Sequence, residues 1–183
     1  MNTTAQPPTN DPDTNYFENF SAGMTFRSPS IDVDADAIVR FAREFDPQPF
    51  HLDPQAGAAS FFGALVASGW HTAALTMRLL VESGLAIAGG LVGAGGEIKW
   101  PAVLRPGDSI HVETEVIATR PLRSRADMGM ITVRSRTITE AGTIVQELTA
   151  NLFVPRRPPA ELPAPARGVS ATEALRDGEL LPG

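Results

Sequence analysis

Side chains able to move a proton or attack a carbonyl near neutral pH are few in this sequence. It contains 3 histidines (His51, His71 and His111) and no cysteine. The lack of thiols excludes a disulfide framework, a thiolate nucleophile, a cysteine-based zinc site and an iron–sulfur cluster. The segment Asp46-Pro47-Gln48-Pro49-Phe50-His51 holds a carboxylate and an imidazole close together in sequence. On a straight strand these two would point to opposite faces, but a bend built by two prolines can bring them to one point. Such a pair can hold a water between an acceptor and a group that titrates near neutral pH, as general acid–base catalysis requires. Spacing alone leaves a second reading open, a loop with a capping aspartate and an incidental histidine, which is the commoner outcome for so short a pattern.

The surrounding elements follow from periodicity and punctuation. A short strand is expected at residues 24–27. Asp32 and Asp34 supply N-cap chemistry for a helix over residues 35–45, with Ile38, Phe41, Ala42 and Phe45 on one face. Pro47 and Pro49 bias Asp46 and Gln48 toward extended conformations, so the helix stops there. A short helical stretch is expected at 54–60. Across residues 69–83 the pattern is apolar almost all round, with Arg78 and Glu82 four apart on a narrow polar stripe, which predicts a mostly buried helix. His71 falls on that stripe. Beyond Gly84 the period becomes two: Ile110, Val112, Thr114 and Val116 alternate with His111, Glu113 and Glu115, and similar alternation recurs at 130–138 and 143–154. These are expected to be antiparallel strands, with His111 on a solvated sheet face. Pro106-Gly107-Asp108 and Ala141-Gly142 are turn signals. One central helix followed by long strands reads as α+β, with the sheet covering the helix.

Composition limits the function classes. The chain has 183 residues and a net charge of −6, and its pI is near 5.0. That balance argues against a nucleic-acid surface, which needs clustered cations. Pro7, Pro8 and Pro12 lie near one end and six further prolines fall between Pro155 and Pro182. Residues 1–15 and 156–183 therefore read as disordered tails that cannot bury enough apolar surface to offset ordering entropy. What remains, residues 16–155, is roughly the size of one domain. Residues 1–15 lack the cationic start and apolar run of a secretory signal, and the weakly polar stretch 84–96 is well short of the ~20 apolar residues of a membrane span. A cytoplasmic location is the expectation. Gly93, Gly95 and Gly96 do not complete a phosphate loop, because Ile98 stands where a further glycine is required; a strand bend or close backbone approach is expected instead. A metal site from Asp46, His51 and Asp53 lacks a second histidine at ligand spacing.

Asp46-Pro-Gln-Pro-Phe-His51 resembles the D-x-N-P-x-H motif of the MaoC-like dehydratases, which include the R-specific enoyl-CoA hydratases. Phe41-Ala42-Arg43 before it, Asp53 and Ala56 after it, Phe62-Gly63, Ala67-Ser68-Gly69 and Arg105-Pro106-Gly107-Asp108 follow in family order. The likeness spans residues 23–155. It implies a single hotdog domain, a long central helix wrapped by a curved antiparallel sheet, dimerised edge to edge as a homodimer or higher homo-oligomer. It further implies a hydro-lyase acting on a trans-2-enoyl-CoA or 3-hydroxyacyl-CoA thioester. Asp46 and His51 would hold the water, and the backbone N–H of Gly69 would bind the thioester carbonyl. Coenzyme A enters only as part of the substrate, with no resident cofactor and no metal. Gln48 and Ser68 depart from the family's usual asparagine and histidine. Arg120, Arg123 and Arg125 could meet the phosphates of coenzyme A, although a solvated loop is the simpler reading for them. An acyl-CoA thioesterase and a non-catalytic acyl-CoA binder remain as alternatives, since one fold hosts several functions.

Overall fold

The computed structural model describes residues 14–158; the expected tails at 1–13 and 159–183 lie outside the described residues. A single 3₁₀ turn at Phe17–Asn19 is followed by strands β1 (Thr25–Arg27) and β2 (Ile31–Asp32). Helices α1 (Ala35–Phe45), α2 (Pro49–Leu52), α3 (Pro54–Ala58) and α4 (Gly69–Val81) come next, then strands β3 (Val92–Lys99), β4 (Ser109–Pro121), β5 (Met128–Thr139) and β6 (Ile144–Pro155). All six strands form one antiparallel sheet in the order β1-β4-β5-β6-β3, with β2 also paired to β4. This is the α+β hotdog arrangement. At the margins of the described chain, Asn15 pairs with the backbone of Ala86 and Ala88, and Arg156 meets Glu18 at 2.8 Å.

Local chemistry sets the helix limits. The Asp34 carboxylate accepts from the N–H groups of Asp36 and Ala37, capping α1. The helix ends at Asp46 because Pro47 cannot continue it. Pro49 then occupies the first turn of α2, where a missing N–H is harmless. This separate turn, absent from the sequence expectation, carries His51. Ser68 caps α4 by accepting from the N–H of Trp70.

Between α4 and the sheet lies the main core, with Leu79 and Leu80 of α4, Ile38 of α1, Ile110 and Val112 of β4 and Val145 of β6. A second cluster joins Leu85 and Ile87 to Val116, Ile131, Val133 and Leu152 of the sheet. Each such side chain contributes roughly 1.5–3 kcal/mol by leaving water.

Burial departs from the sequence reading in four places. Phe45 is exposed, because α1 turns its last residue past the edge of the core. The helix α4 is not buried all round: Trp70, Met77 and Val81 are 50–64% exposed, since one chain's sheet covers one side of the helix. His71 lies on the same angular stripe as the exposed Arg78–Glu82 ion pair, yet it is buried and stacked on Phe41 at 4.7 Å. The stripe is covered at its first turn by α1 and open further on. His111, expected on a solvated face, is also buried; β4 is an interior strand, held between β2 and β5 at that level, and His111 Nε2 sits 3.5 Å from Glu113.

Two glycine turns match expectation, Gly107 (φ +85°) and Gly142 (φ +83°). The glycines at 93–96 fall within β3, where the register on β6 shifts between Gly93 and Gly96 and the backbone of β6 comes close to Gly96, as the expected strand bend and close approach require; the extent of β3 is not readable from the sequence pattern. Among the described residues, no helix is long and apolar enough to cross a membrane.

Candidate active site

The end of α1 and the start of α4 meet at Asp46. Its Oδ1 accepts from Gln48 Nε2 at 2.8 Å, and its Oδ2 accepts from the Ser68 hydroxyl at 2.6 Å. Ser68 thus does two things with one oxygen, donating to Asp46 and accepting from the N–H of Trp70. Burial would push the Asp46 carboxyl up, but the hydrogen bonds from Ser68 and Gln48, with His51 alongside, outweigh it and hold the group below the ordinary carboxylate value.

His51 is buried, with Nδ1 2.7 Å from the carbonyl oxygen of Val66. A carbonyl can only accept, so Nδ1–H donates to it and Nε2 is left for another partner. That nitrogen faces Asp46 Oδ2 at 3.5 Å. When Nε2 is unprotonated, two acceptors so placed favour a donor that reaches both, which is what a water molecule is. Phe50 packs edge-on against His51 at 4.5 Å and against Phe62 at 5.1 Å, walling this side with apolar rings.

Gly69 is the first residue of α4, one of the positions whose N–H has no acceptor inside the helix. A side chain there would force the Trp100 ring to shift, since a Cβ would stand 2.9 Å from Trp100 Cε2. Asp46, His51, Ser68, Gly69 and Trp100 all line one cavity of about 320 Å³. The three residues singled out from sequence are therefore brought together: a carboxylate held below its ordinary pKa, an imidazole and a helix N-terminus.

This constellation sits within a recognised domain type. A family model described as "MaoC like domain" matches residues 18–140. The chain belongs to that family. The MaoC-like dehydratase from Rhodospirillum rubrum is similar in structure, with a TM-score of 0.77 and 52% identity over 79% of this chain and 99% of that one. The (R)-hydratase from A. caviae involved in PHA biosynthesis gives a TM-score of 0.58 and 25% identity over 76% of this chain and 99% of that one. Among curated proteins, YdeM of Bacillus subtilis (strain 168) is 30% identical over 142 residues, 76% of this chain and 98% of YdeM. This is thus a hydratase/dehydratase family.

In this MaoC-like domain the two positions that depart from the usual motif are both bonded to the Asp46 carboxylate. Sequence reasoning treated Gln48 and Ser68 only as departures; the signal that could have found Ser68 was its place as a serine N-cap before an apolar helix. The other histidines do not join the site, since neither His71 nor His111 lines the cavity. Asp53 is committed to capping α3 through the N–H groups of Gln55 and Ala56, and no group of three potential metal ligands forms among the described residues. At the β4–β5 turn Arg125 pairs with Asp127, and Arg120 meets Met130 Sδ, apart from the cavity.

Proposed function

We propose that this MaoC-like protein is a hydro-lyase that adds water to a trans-2-enoyl-CoA thioester and removes it from the 3-hydroxyacyl-CoA. The observation that carries this reading is His51 Nε2 facing the Asp46 carboxylate at 3.5 Å, in the cavity that also holds the N-terminus of α4. Water accepted between the two groups gives one proton to Nε2 as its oxygen bonds C3 of the substrate. The electron pair of the double bond moves through C2 onto the thioester oxygen. There the Gly69 N–H and the positive end of α4 meet the developing charge. Collapse of that enolate takes a proton at C2 from Nε2–H, restoring the neutral ring. Asp46 accepts the second O–H of the water and fixes its direction of attack. Dehydration is the same sequence reversed. Coenzyme A arrives with the substrate and leaves with the product, so no resident cofactor is required.

A thioesterase would direct the water at the carbonyl carbon and release a thiol, and a non-catalytic binder would do neither. Loss of crotonyl-CoA absorbance, followed beside free-thiol release on the same sample, separates the three. Absorbance loss without thiol is the expected result. Asp46→Asn and His51→Gln should each lower turnover by at least about 10²-fold, and the double variant should be little worse than the worse single one, because residues acting as a unit are not additive. Full activity in either single variant contradicts the mechanism.

A further inference from the structure

The residue that presents the Gly69 N–H is backed by an aromatic ring. On the side of Gly69 where a side chain would stand lies the indole of Trp100: an added Cβ would come 2.9 Å from Cε2, 3.0 Å from Cδ2 and 3.3 Å from Cε3. All three atoms belong to the six-membered ring, and both residues line the active-site cavity. Glycine has the freest backbone of any residue, and this one stands in the first turn of α4, where helices fray. An N–H there keeps a fixed direction best when something outside the helix supports it.

Trp100 is itself held in place. It directly follows the last residue of β3, and its Nε1–H donates to Gln146 Oε1 on β6 at 2.8 Å. Trp70 meets the ring edge-on, with 5.3 Å between centroids. Gln146 is 1% exposed, and its Nε2 has no acceptor among the described residues. A buried donor left without an acceptor lowers stability, and an apolar side chain of similar size would avoid that loss. Among the described residues, the one hydrogen bond of the Gln146 side chain is the one it accepts from Trp100. The indole, 39% exposed, could turn its N–H to water instead. Stability therefore does not explain an amide at this position, whereas fixing the ring does.

We propose that Trp100, held by the side-chain oxygen of Gln146, is a positioning residue whose ring fixes the direction of the Gly69 N–H toward the thioester oxygen. The inference rests on the enoyl-thioester hydratase reading above. Charge on that oxygen grows as water bonds C3, so a donor held in line acts more on the transition state than on the bound substrate. Functional sites keep groups of this kind although they lower stability.

The test reads rate and stability on the same variants. Gln146→Leu should unfold at the native urea concentration or above it, because it removes the unsatisfied donor. It should nevertheless lower kcat on crotonyl-CoA roughly tenfold, short of the roughly 10²–10³-fold loss that follows removal of an oxyanion donor. KM should stay unchanged, so that kcat and kcat/KM fall together, as for an interaction made only in the transition state. Trp100→Phe keeps a ring without the N–H and should lower kcat likewise. The double variant should be no worse than the worse single one, since both break one hydrogen bond; Gln146→Leu carries the test if Trp100→Phe does not fold. A spectroscopic readout is bound trans-2,4-hexadienoyl-CoA, whose absorbance moves to longer wavelength as its carbonyl oxygen is polarised. In an Asp46→Asn background, where hydration is slow, that shift should shrink when Gln146→Leu is added. An unchanged kcat in Gln146→Leu overturns the positioning role, as does a loss of kcat matched by a lower urea midpoint. Absence of any shift with Trp100 and Gln146 native also overturns it. A native protein that hydrates no enoyl thioester, yet shows a shift that Gln146→Leu diminishes, would sink the hydratase reading and leave the positioning role standing.

Discussion

Asp46 holds its charge because two neighbours donate to it, and that makes Ser68 a testable residue in its own right. Ser68→Ala removes the 2.6 Å hydrogen bond to Asp46 and the N-cap of α4 together. The cap alone is worth about 1 kcal/mol. With its donor gone the Asp46 pKa should rise, so the acidic limb of the kcat/KM profile should move to higher pH, where native and variant can be compared directly. The sign for stability follows from linkage. A carboxylate whose folded pKa is depressed stabilises the fold above its unfolded pKa and loses that contribution as pH falls through the depressed value. The stability deficit of Ser68→Ala should therefore shrink in acid, toward what the lost cap alone costs; an unmoved acidic limb with a pH-independent deficit contradicts the argument. Asp46 and His51 were legible in sequence because a short proline-built motif carries them. The tautomer of His51 was not, since it is set by the carbonyl of Val66, outside that motif. Nor was the burial of His71, since Phe41, which covers it, sits on a different helix.

Elements with strong punctuation were read to the residue, and those with weak side-chain patterns were not. The helix α1 runs from just after Asp34 to just before Asp46 because a capping carboxylate and a following proline bound it. The glycines of β3 were legible as a strand bend, but the limits of the strand were not, because its glycines leave too few side chains to alternate. Which glycine makes the close approach appears against β6: a Cβ at Gly96 would collide with the carbonyl oxygen of Thr149, whereas one at Gly93 meets nothing within 4 Å. Gly96→Ala should accordingly destabilise the fold by about 1–3 kcal/mol, the usual cost of overpacking. Gly93→Ala should change it by far less. Urea unfolding of the two variants checks the contrast, and equal midpoints would show that β3 does not press on β6 as described.

At the scale of the whole molecule, one helix wrapped by antiparallel strands was legible from the change of period after α4, but the order of strands was not. Long-range pairing leaves no local mark, and nothing in the sequence placed β3 at the sheet's edge. That placement has consequences for assembly. The opposite border of the sheet is made by β1 and β2, which are three and two residues long, and short edge strands resist further pairing. By contrast β3 is eight residues long and exposed at every position except Ile98. The helix α4 adds the exposed Trp70, Met77 and Val81. Pairing β3 with its copy across a two-fold axis would satisfy a free edge by a self-complementary interface, and we propose a homodimer of that kind. Light scattering at micromolar concentration should give the dimer mass, with activity falling as the protein is diluted. Val81→Lys combined with Val92→Lys places charge on two exposed apolar positions, 64% and 52% exposed, and should shift the mass toward the monomer without loss of far-UV circular dichroism. A variant that stays dimeric would move the interface elsewhere on the molecule, and a fully active monomer would remove the need for one.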